Sequence, residues 1–327
     1  MATVLVTGGA GYIGSHACKL LKAAGHTPVA FDNLRTGWRQ AVKFGDLIEG
    51  DLLDPAALDA AFAAVKPDAV MHFAALSNVG ESSEKPDLYW RNNVAGSMNL
   101  LDAMARAGVH HLVFSSTCAI YGEAQTEVLT EDHPKNPINP YGASKLAMER
   151  MIEDYCNATA LEAVTFRYFN VAGADPDSEI GEHHEPETHL VPLVLDAVAG
   201  DRAEITIFGD DYDTPDGTCI RDYLHVMDLA DAHVRGLEWL LNGGEALTLH
   251  LGTGAGFSVR EVIEAAAAVT NKPVPQKIGP RRAGDPPKLV SGSKEAEEKL
   301  GWRLNHSTMN QMLRDAWRWR ATGLYKS

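Results

Sequence analysis

Thr7-Gly8-Gly9-Ala10-Gly11-Tyr12-Ile13-Gly14 is the stretch that decides the fold of this chain, with a predicted strand before it and a predicted helix after it. Gly8, Gly11 and Gly14 are spaced three apart. Between a strand and a helix, the first glycine permits a tight turn, the second lets the backbone approach a pyrophosphate, and the third lets the helix pack on the strand. The helix N-terminus offers free N–H groups to phosphates. The stretch therefore predicts a phosphate-binding turn.

Asp32 adds a second signal, because it lies at the end of the second predicted strand, about 20 residues after the glycines. An acid at this place hydrogen-bonds the adenosine ribose of a dinucleotide. Its charge would repel a 2′-phosphate, so the sequence favours NAD over NADP. Glycines alone predict only a turn, whereas the strand, the helix and the acid at the right distance together predict dinucleotide binding.

The first half of the chain alternates short β-branched runs with helical stretches, which is typical of a parallel sheet covered by helices. Strands are predicted at 2–7, 29–32, 47–51, 69–73, 111–116 and 163–168, and helices at 12–24, 87–107 and 141–158. From about residue 171 the alternation of strands and helices becomes less regular. Residues 173–188 are rich in Gly, Pro, Asp and Glu, which is typical of a mobile loop or lid. We predict an α/β fold: residues 1–170 form a Rossmann-type doubly wound parallel sheet. Residues 171–327 form mainly a smaller C-terminal substrate-binding domain, from which the chain can cross back to the sheet.

Composition limits the classes of protein that the chain can belong to. It has 327 residues, of which 45% are hydrophobic and 22% charged, which is ordinary for a globular protein with a sizeable core. The formal charge of −15 argues against nucleic acid as a partner, since that needs a basic footprint. No apolar run reaches the length of a membrane span, and no cleavable leader is recognised. The four cysteines show neither a CxxC pair nor a zinc spacing, so we expect a reducing cytoplasm.

Tyr141 and Lys145 stand four residues apart near the start of a predicted helix, so they share one face. A phenolate base near neutrality requires the tyrosine pKa to fall by about 3 units. A lysine cation about 4 Å away supplies on the order of 4 kcal/mol at an effective dielectric of about 20, which is sufficient. Such a pair alone is a weak signal. A hydroxyl from Ser115-Ser116-Thr117, at the end of an upstream strand, could face the same substrate oxygen as Tyr141. The combination of glycine turn, hydroxyl and Tyr-Lys pair is far more specific for a dehydrogenase-type site than the pair alone.

These features resemble the extended short-chain dehydrogenase/reductases and, within them, the UDP-glucose (UDP-galactose) 4-epimerases. The resemblance covers essentially the whole chain. Besides the glycine turn, the matching stretches are 32–33, 49–51, 72–75, 79–82, 92–94, 115–117, 141–145, 167–170, 207–209, 221–231 and 281–285. The segment 207–231 separates the epimerases most sharply from related sugar-nucleotide enzymes.

The resemblance implies C4 epimerisation of UDP-galactose and UDP-glucose through a transient 4-keto sugar, with tightly bound NAD. Tyr141 would take the 4-hydroxyl proton, Lys145 would tune it, and Thr117 would supply a helper hydroxyl. The residues that would line the NAD site are Gly8, Gly11, Tyr12, Ile13, Gly14, Asp32, Asn33, Asp51, Leu52, Phe73, Ala74, Ala75, Asn92, Ser115, Tyr141, Lys145 and Tyr168. The residues that would hold the UDP-sugar are Thr117, Tyr141, Phe169, Asn170, His189, Leu190, Phe208, Arg221, Arg282, Asp285 and Leu289.

Three positions depart from the family pattern. Ser77 and Asn78 stand where some members carry a lysine near the cofactor. His189 replaces an asparagine found in several relatives. Leu289 occupies a place where residue size influences acceptance of N-acetyl sugars, and its intermediate size leaves that preference open.

Several other activities share parts of this pattern. A 4,6-dehydratase usually carries an acid pair directly after the hydroxyl residue, whereas Cys118 and Ala119 follow Thr117 here. Epimerisation of a UDP-N-acetylhexosamine, UDP-pentose or UDP-uronate stays open. The intact set of Thr117, Tyr141 and Lys145 argues against a non-catalytic NAD-binding protein.

Two further expectations concern metals and assembly. The stretch 181–185 carries acids and histidines, but HExxH spacing is missing, so we expect a solvated loop and no metal. Helices 87–107 and 141–158 are adjacent in such sheets and carry apolar faces, which predicts a homodimer built on a helix bundle.

Overall fold

The computed structural model describes residues 1–123, 126, 128–282, 286–292, 294–322 and 325. Its strands are β1 Thr3–Thr7, β2 Thr27–Asp32, β3 Asp46–Glu49, β4 Ala69–His72, β5 His111–Ser115, β6 Val128–Leu129, β7 Glu162–Tyr168, β8 Asn170–Ala172, β9 Ile205–Phe208, β10 Ile220–His225, β11 Leu247–Leu251, β12 Gly256–Ser258, β13 Gln276–Gly279 and β14 Lys288–Ser291. Its α-helices are α1 Tyr12–Ala23, α2 Pro55–Val65, α3 Val79–Glu84, α4 Pro86–Tyr89, α5 Gly96–Ala107, α6 Pro140–Ala158, α7 Leu190–Ala199, α8 Val226–Leu241, α9 Val259–Thr270, α10 Glu295–Leu300 and α11 Met309–Ala321. Among these described helices, none is long and apolar enough to cross a membrane.

The central sheet has seven parallel strands in the order β11-β7-β5-β4-β1-β2-β3. The strand order reverses at β1, which pairs with β2 on one side and β4 on the other. In doubly wound sheets, ligands bind in the crevice outside the carboxyl ends of the strands at this switch point. The predicted α/β architecture is confirmed, and the glycine turn follows directly after β1.

Both faces of the sheet are covered, which explains why β1 is apolar throughout rather than alternating. Val4 and Val6 point into a core shared with α1 and α8, while Leu5 points into a second core shared with α2, α5 and α6. All three side chains are fully buried.

Two helical features differ from the prediction. Helix α2 lies between β3 and β4 and was not predicted; Asp54 caps it, accepting from the N–H groups of Ala56 and Ala57. The predicted helix 87–107 is instead three successive segments, because a π-helical turn over Trp90–Ala95 separates α4 from α5. Such π-turns are frequent at functional sites.

Beyond residue 171 the chain builds smaller sheets and also returns to the large one. Strands β12, β10, β14 and β6 form one small sheet, β8 pairs with β10, and β9 pairs with β13. Helix α8 packs on α1, and β11 adds to the edge of the central sheet beside β7. The chain after residue 171 therefore returns to the central sheet through α8 and β11. The predicted domain boundary at residue 170 stays a prediction.

Candidate active site

The glycine turn is built from backbone that other residues could not adopt. Gly8 has φ +75°, and a Cβ there would lie 2.6 Å from the Ala74 nitrogen. A Cβ on Gly14 would lie 2.2 Å from the Gly8 carbonyl oxygen, so this glycine brings α1 against the turn itself. A Cβ on Gly11 would meet only the Gly8 oxygen, at 3.2 Å. Close packing therefore requires glycine at positions 8 and 14. At position 11, glycine leaves the approach to the helix N-terminus unobstructed.

The first turn of α1 meets the requirements of an anion site. Gly11 is the N-cap, it provides no side-chain hydrogen bond, and the first turn has no acidic residue. The first N–H groups of a helix have no partner within the helix. The pyrophosphate of a dinucleotide fits these donors and the glycine-lined approach to them.

Asp32 positions the two loops that frame this turn. Its Oδ2 accepts from the Ala10 N–H at 3.0 Å and its Oδ1 from the Leu34 N–H at 2.8 Å. Burial raises the pKa of the Asp32 carboxyl, and these two N–H groups act in the opposite direction. At the neighbouring strand end, the Asn33 side chain donates to Asp51 Oδ2 at 2.9 Å. Asp32 and Asp51, both predicted to line the NAD site, therefore lie at one edge of the sheet.

The predicted wall of the NAD site lies at the end of β4. The N–H groups of Phe73 and Ala74 both donate to the Thr7 carbonyl, at 2.9 and 3.1 Å, which holds this segment beside the glycine turn. Leu52 is buried against the π-helical region of the chain, where a Cβ on Gly96 would touch it. Ser77 and Asn78 are the residues that depart from the family pattern near the cofactor. Of these, Asn78 caps α3 by accepting a hydrogen bond from the Glu81 N–H at 2.9 Å.

Asn93 joins three parts of the site and was missed as a functional residue. It lies fully buried in the π-turn. It accepts from the Leu76 N–H at 2.8 Å and donates to the Leu76 carbonyl and to Ser144 Oγ, both at 3.0 Å. Asn92 donates to its Oδ1 at 3.0 Å. The signal for it in the sequence is its place in the matching stretch 92–94, from which the resemblance assigns Asn92 alone to the NAD site.

The candidate catalytic residues meet at the start of α6. Asn139 caps this helix by accepting from the Gly142 N–H at 2.8 Å, and a proline occupies its first turn, so Tyr141 and Lys145 are presented on its first two turns. Thr117 caps the short 3-10 helix after β5. The Thr117 hydroxyl also forms a hydrogen bond with the Tyr141 side chain.

The protonation of the pair differs from the prediction. Burial raises the pKa of Tyr141 to about 12, although the hydrogen bond from Thr117 lowers it. Burial lowers the pKa of Lys145 to about 7, against the attraction of Glu149. Lys145 Nζ donates to the Ser115 carbonyl at 2.9 Å. The tyrosine pKa is therefore shifted in the opposite direction from the expected one, because desolvation is the largest effect on each of the two groups.

A buried ion pair supports α6 from behind. Arg167 Nη2 lies 2.8 Å from Glu149 Oε2, and the two side chains are 4% and 8% exposed. Ser116 Oγ donates to Glu149 Oε1 at 2.6 Å, and Arg167 Nη1 donates to Tyr121 Oη at 2.8 Å. Neither charged residue was predicted to matter. A glutamate on a helix normally faces water, so the position of Glu149 in the sequence does not indicate that it is buried against Arg167.

The candidate sugar-binding residues gather on β8, β10 and β14. Asn170 pairs with Tyr223, and Arg221 lies beside Leu289 in the register of the small sheet. Leu289 and Phe169 both pack on the apolar cluster that follows Thr117. The structure thus packs Phe169 and Leu289 on the cluster that begins directly after Thr117.

Phe208 and Arg282 form a second contact on this side. The Arg282 guanidinium lies 4.0 Å from the centre of the Phe208 ring, and Phe208 is 37% exposed. Arg281 instead pairs with Asp211, with Nε and Oδ1 2.6 Å apart. Asp285, also predicted to hold substrate, lies outside the described residues.

The stretch 181–185 is packed rather than solvated, which corrects the prediction. Glu182 is 8% exposed, and the indoles of Trp319 and Trp38 donate to the carbonyls of Glu182 and His183, at 3.1 and 2.9 Å. His189 caps α7 directly before Leu190. The His189 side chain meets Glu182, with Nδ1 2.7 Å from Oε1.

Comparison with known proteins places these features in a family. The profile of the NAD-dependent epimerase/dehydratase family matches residues 4–252. A UDP-glucose 4-epimerase of Rhizobium leguminosarum bv. trifolii is 49% identical over 319 residues, which cover 98% of this chain and 97% of the relative. The Brucella ovis UDP-glucose 4-epimerase in complex with NAD is 48% identical, with TM-score 0.95 and coverage of 97% and 98%. The Stenotrophomonas maltophila enzyme, with NAD and formylated UDP-arabinopyranose, is 40% identical, with TM-score 0.95 and coverage of 99% of both chains.

Proposed function

The chain belongs to the NAD-dependent epimerase/dehydratase family, and we propose that it interconverts UDP-galactose and UDP-glucose by epimerisation at C4. The reaction passes through a transient 4-keto sugar and uses tightly bound NAD. The observation that carries the proposal is the meeting of Thr117, Tyr141 and Lys145 beside a dinucleotide turn. The similar UDP-glucose 4-epimerases, which align over nearly all of both chains, support it.

The glycine turn, Asp32 and the end of β4 would hold NAD, with its pyrophosphate at the N-terminus of α1. Bound there, NAD⁺ would supply reversible acceptance of hydride from C4 of the sugar. The chain contributes the geometry: Gly11 clears the approach to the helix, and Asp32 offers its remaining lone pairs to the ribose.

Tyr141 and Lys145 handle the proton. Tyr141 Oη accepts the proton of the C4 hydroxyl as the hydride leaves, and Thr117 Oγ1 holds the tyrosine oxygen in place. Above the lowered pKa of Lys145, about 7, the pair is a neutral phenol and a neutral amine. That state has as many protons as a phenolate beside an ammonium. Protonation of Lys145 would therefore accompany formation of the phenolate without a change in the total number of protons on the pair.

Inversion requires the sugar to turn while the nucleotide stays fixed. Planar guanidinium groups bind phosphate oxygens in pairs, so Arg221 and Arg282 suit the pyrophosphate of the UDP moiety. The surfaces of Phe169 and Leu289 are apolar and impose few directional contacts on the hexose. Rotation about the pyrophosphate linkage would present the opposite face of the keto group to the cofactor, and Tyr141 would return the proton to the oxygen.

The decisive experiment incubates the purified chain with UDP-galactose, without added NAD, and follows UDP-glucose by proton NMR. The expected result is the same equilibrium mixture from either sugar, with Tyr141→Phe as the inactive control. Lack of conversion, repeated after NAD is supplied, would contradict the substrate assignment, and N-acetylated, pentose and uronate nucleotides would then be assayed. The same assay separates an enzyme from a non-catalytic NAD-binding protein.

We also propose a homodimer in the cytoplasm. Trp90 and Met98, on the helical segments 86–107, are 42% and 46% exposed, and the neighbouring α6 is joined to α5 by a hydrogen bond from Tyr155 to Asp102 of 2.9 Å. Covering this surface with its two-fold copy supports the dimer. All four cysteines are free thiols, in keeping with a reducing compartment.

A further inference from the structure

Four side chains before α7 converge on one point. They are Glu182, His184, Glu187 and His189, and each directs a ligand atom so that all four atoms lie within 4.8 Å of one another. Glu182 Oε1 lies 3.4 Å from His184 Nδ1 and 2.7 Å from His189 Nδ1. Glu187 lies 3.4 Å from each of the two histidine Nδ1 atoms, through Oε2 to His184 and Oε1 to His189.

The centre of this cluster holds a buried acceptor that is poorly aligned with its neighbours. The Glu182 side chain is 5% exposed, and its Oε1 lies 2.7 Å from His189 Nδ1 and 3.4 Å from His184 Nδ1 without hydrogen-bond geometry to either. His184 Nδ1 is buried and likewise makes no well-aligned hydrogen bond. A buried polar atom in a misaligned contact loses part of the energy of a hydrogen bond, and an ion between these atoms would restore it. A carboxylate oxygen and imidazole nitrogens that face each other are the donor set of a metal ion.

The surrounding contacts orient these ligands. Glu187 Oε1 accepts from the N–H groups of Thr188 and His189, at 2.7 and 2.9 Å. The Trp319 indole holds the Glu182 main chain. The ring of Tyr12, from the glycine turn, meets the His184 ring edge-on at 6.4 Å. Outer contacts of this kind fix the direction of ligands in metal sites.

We propose that Glu182, His184, Glu187 and His189 bind a structural Zn²⁺ ion. Zinc takes imidazole nitrogen at about 2.0–2.1 Å and carboxylate oxygen at about 2.0–2.2 Å, so ligand atoms of a tetrahedral site lie about 3.3–3.5 Å apart. Three of the four separations above are 3.4 Å. The fourth, 2.7 Å, lengthens on rotation of the half-exposed His189 ring. Imidazole ligands favour zinc over magnesium or calcium.

A second cluster of carboxylates differs in the group that faces them. Asp175, Asp177 and Glu179 also converge, but the Lys19 ammonium lies among them, 2.7, 3.0 and 2.8 Å from their oxygens. A lysine ammonium fills that place permanently, whereas the carboxylates of the first cluster face imidazoles, which bind a metal once they are neutral. The second cluster therefore serves as an internal comparison, and Asp177→Asn is expected to leave zinc binding unchanged.

Four protein ligands fill a tetrahedral zinc, so the ion has a structural rather than a catalytic role. It joins the segment 182–187 to the N-cap of α7, directly before Leu190, which is predicted to contact the nucleotide sugar. This inference concerns the segment 182–189 alone and does not depend on the identity of the sugar.

The test measures zinc in the untagged full-length chain. The protein is stripped with EDTA, dialysed against Zn²⁺ and then against metal-free buffer, and its zinc content is measured by mass spectrometry. We expect about one zinc per chain, raised thermal stability on zinc addition, and the visible absorption of tetrahedral Co²⁺ after cobalt exchange. His184→Asn and Glu182→Gln should lose all three. The matched control is His183→Asn, because His183 is adjacent in sequence but stacks on Trp38 at 4.5 Å, outside the cluster.

Absence of stoichiometric zinc in the wild-type chain would overturn the proposal. Equal zinc retention by His184→Asn, Glu182→Gln and His183→Asn would overturn it as well, since the metal would then be bound elsewhere. Glu182→Gln keeps the size of the side chain, so loss of zinc in a variant that still shows the native circular dichroism spectrum cannot be attributed to unfolding.

Discussion

Glu149 and Arg167 form an ion pair that is almost entirely removed from water, with Oε2 and Nη2 2.8 Å apart. The pair joins helix α6, which presents Tyr141 and Lys145, to strand β7 of the central sheet. Ser116, next to Thr117, donates to the same carboxylate. One desolvated pair thus connects the helix, the sheet and the loop that together carry the candidate catalytic groups.

Arg167→Met is expected to destabilise the protein by about 3–5 kcal/mol, because it leaves the Glu149 charge buried without its partner. Urea unfolding followed by circular dichroism measures the change. The double variant Glu149→Leu/Arg167→Met removes both charges and should be more stable than Arg167→Met alone. If the single variant were as stable as wild type, the pair would not be a support of the helix.

Tyr141→Phe is expected to lower kcat about 10²- to 10⁴-fold, the contribution that a positioned acid–base group usually makes. Tyr155→Phe is the matched control, because Tyr155 lies on the same helix but donates to Asp102 instead of facing Thr117. Steady-state epimerisation of UDP-galactose measures both. Near-normal turnover of Tyr141→Phe would remove the tyrosine from the mechanism.

Asp32→Ala is expected to weaken NAD binding roughly tenfold or more, since a hydrogen bond to a charged group contributes about 1.5–3 kcal/mol. It should also reduce the preference for NAD over NADP. Fluorescence titration of the stripped protein with both cofactors gives the two affinities. Asp68→Ala is the control, because Asp68 accepts from the Thr3 N–H at 2.7 Å at the opposite end of β1. Unchanged affinities in Asp32→Ala would contradict the ribose role.

Acid should destabilise the fold below about pH 6.5 through buried histidines. Burial lowers the pKa of His72 to about 3 and those of His16 and His233 to about 4. The unfolded chain therefore binds more protons than the native one between these values and about 6.5, so stability falls as the pH falls, by up to about 1.4 kcal/mol per pH unit for each histidine.

His72→Asn isolates one of these protons. In the native protein His72 contacts Thr7 Oγ1 at 2.6 Å and Ser97 Oγ at 2.8 Å, and asparagine offers polar atoms to both. The free energy of unfolding is measured between pH 7 and pH 5. Its slope against pH should decrease in the variant by the equivalent of about one bound proton. An unchanged slope would show that His72 titrates normally.

Leu289→Ala is expected to admit UDP-N-acetylglucosamine by enlarging the apolar wall that Leu289 shares with Phe169. The measured quantity is the ratio of kcat/KM for the N-acetylated and plain sugars, which should rise, while a bulkier Leu289→Tyr should lower it. A ratio that is equal in all three proteins would place Leu289 away from the sugar.

The sequence by itself determined the strand–turn–helix with its glycines, the parallel α/β sheet, the pairing of Asp32 with that turn, and the helix that carries Tyr141 and Lys145. These features depend on local conformation, which neighbouring residues determine. Examples are the positive φ at Gly8, the helix cap at Asn139 and the apolar periodicity of the strands and helices. Only the tertiary structure decided which groups lose water. It brought Glu149 to Arg167 across 18 residues and raised rather than lowered the pKa of Tyr141. It also folded Glu182, His184, Glu187 and His189 onto one point. Desolvation is a sum over segments distant in the chain, and no local pattern contains it.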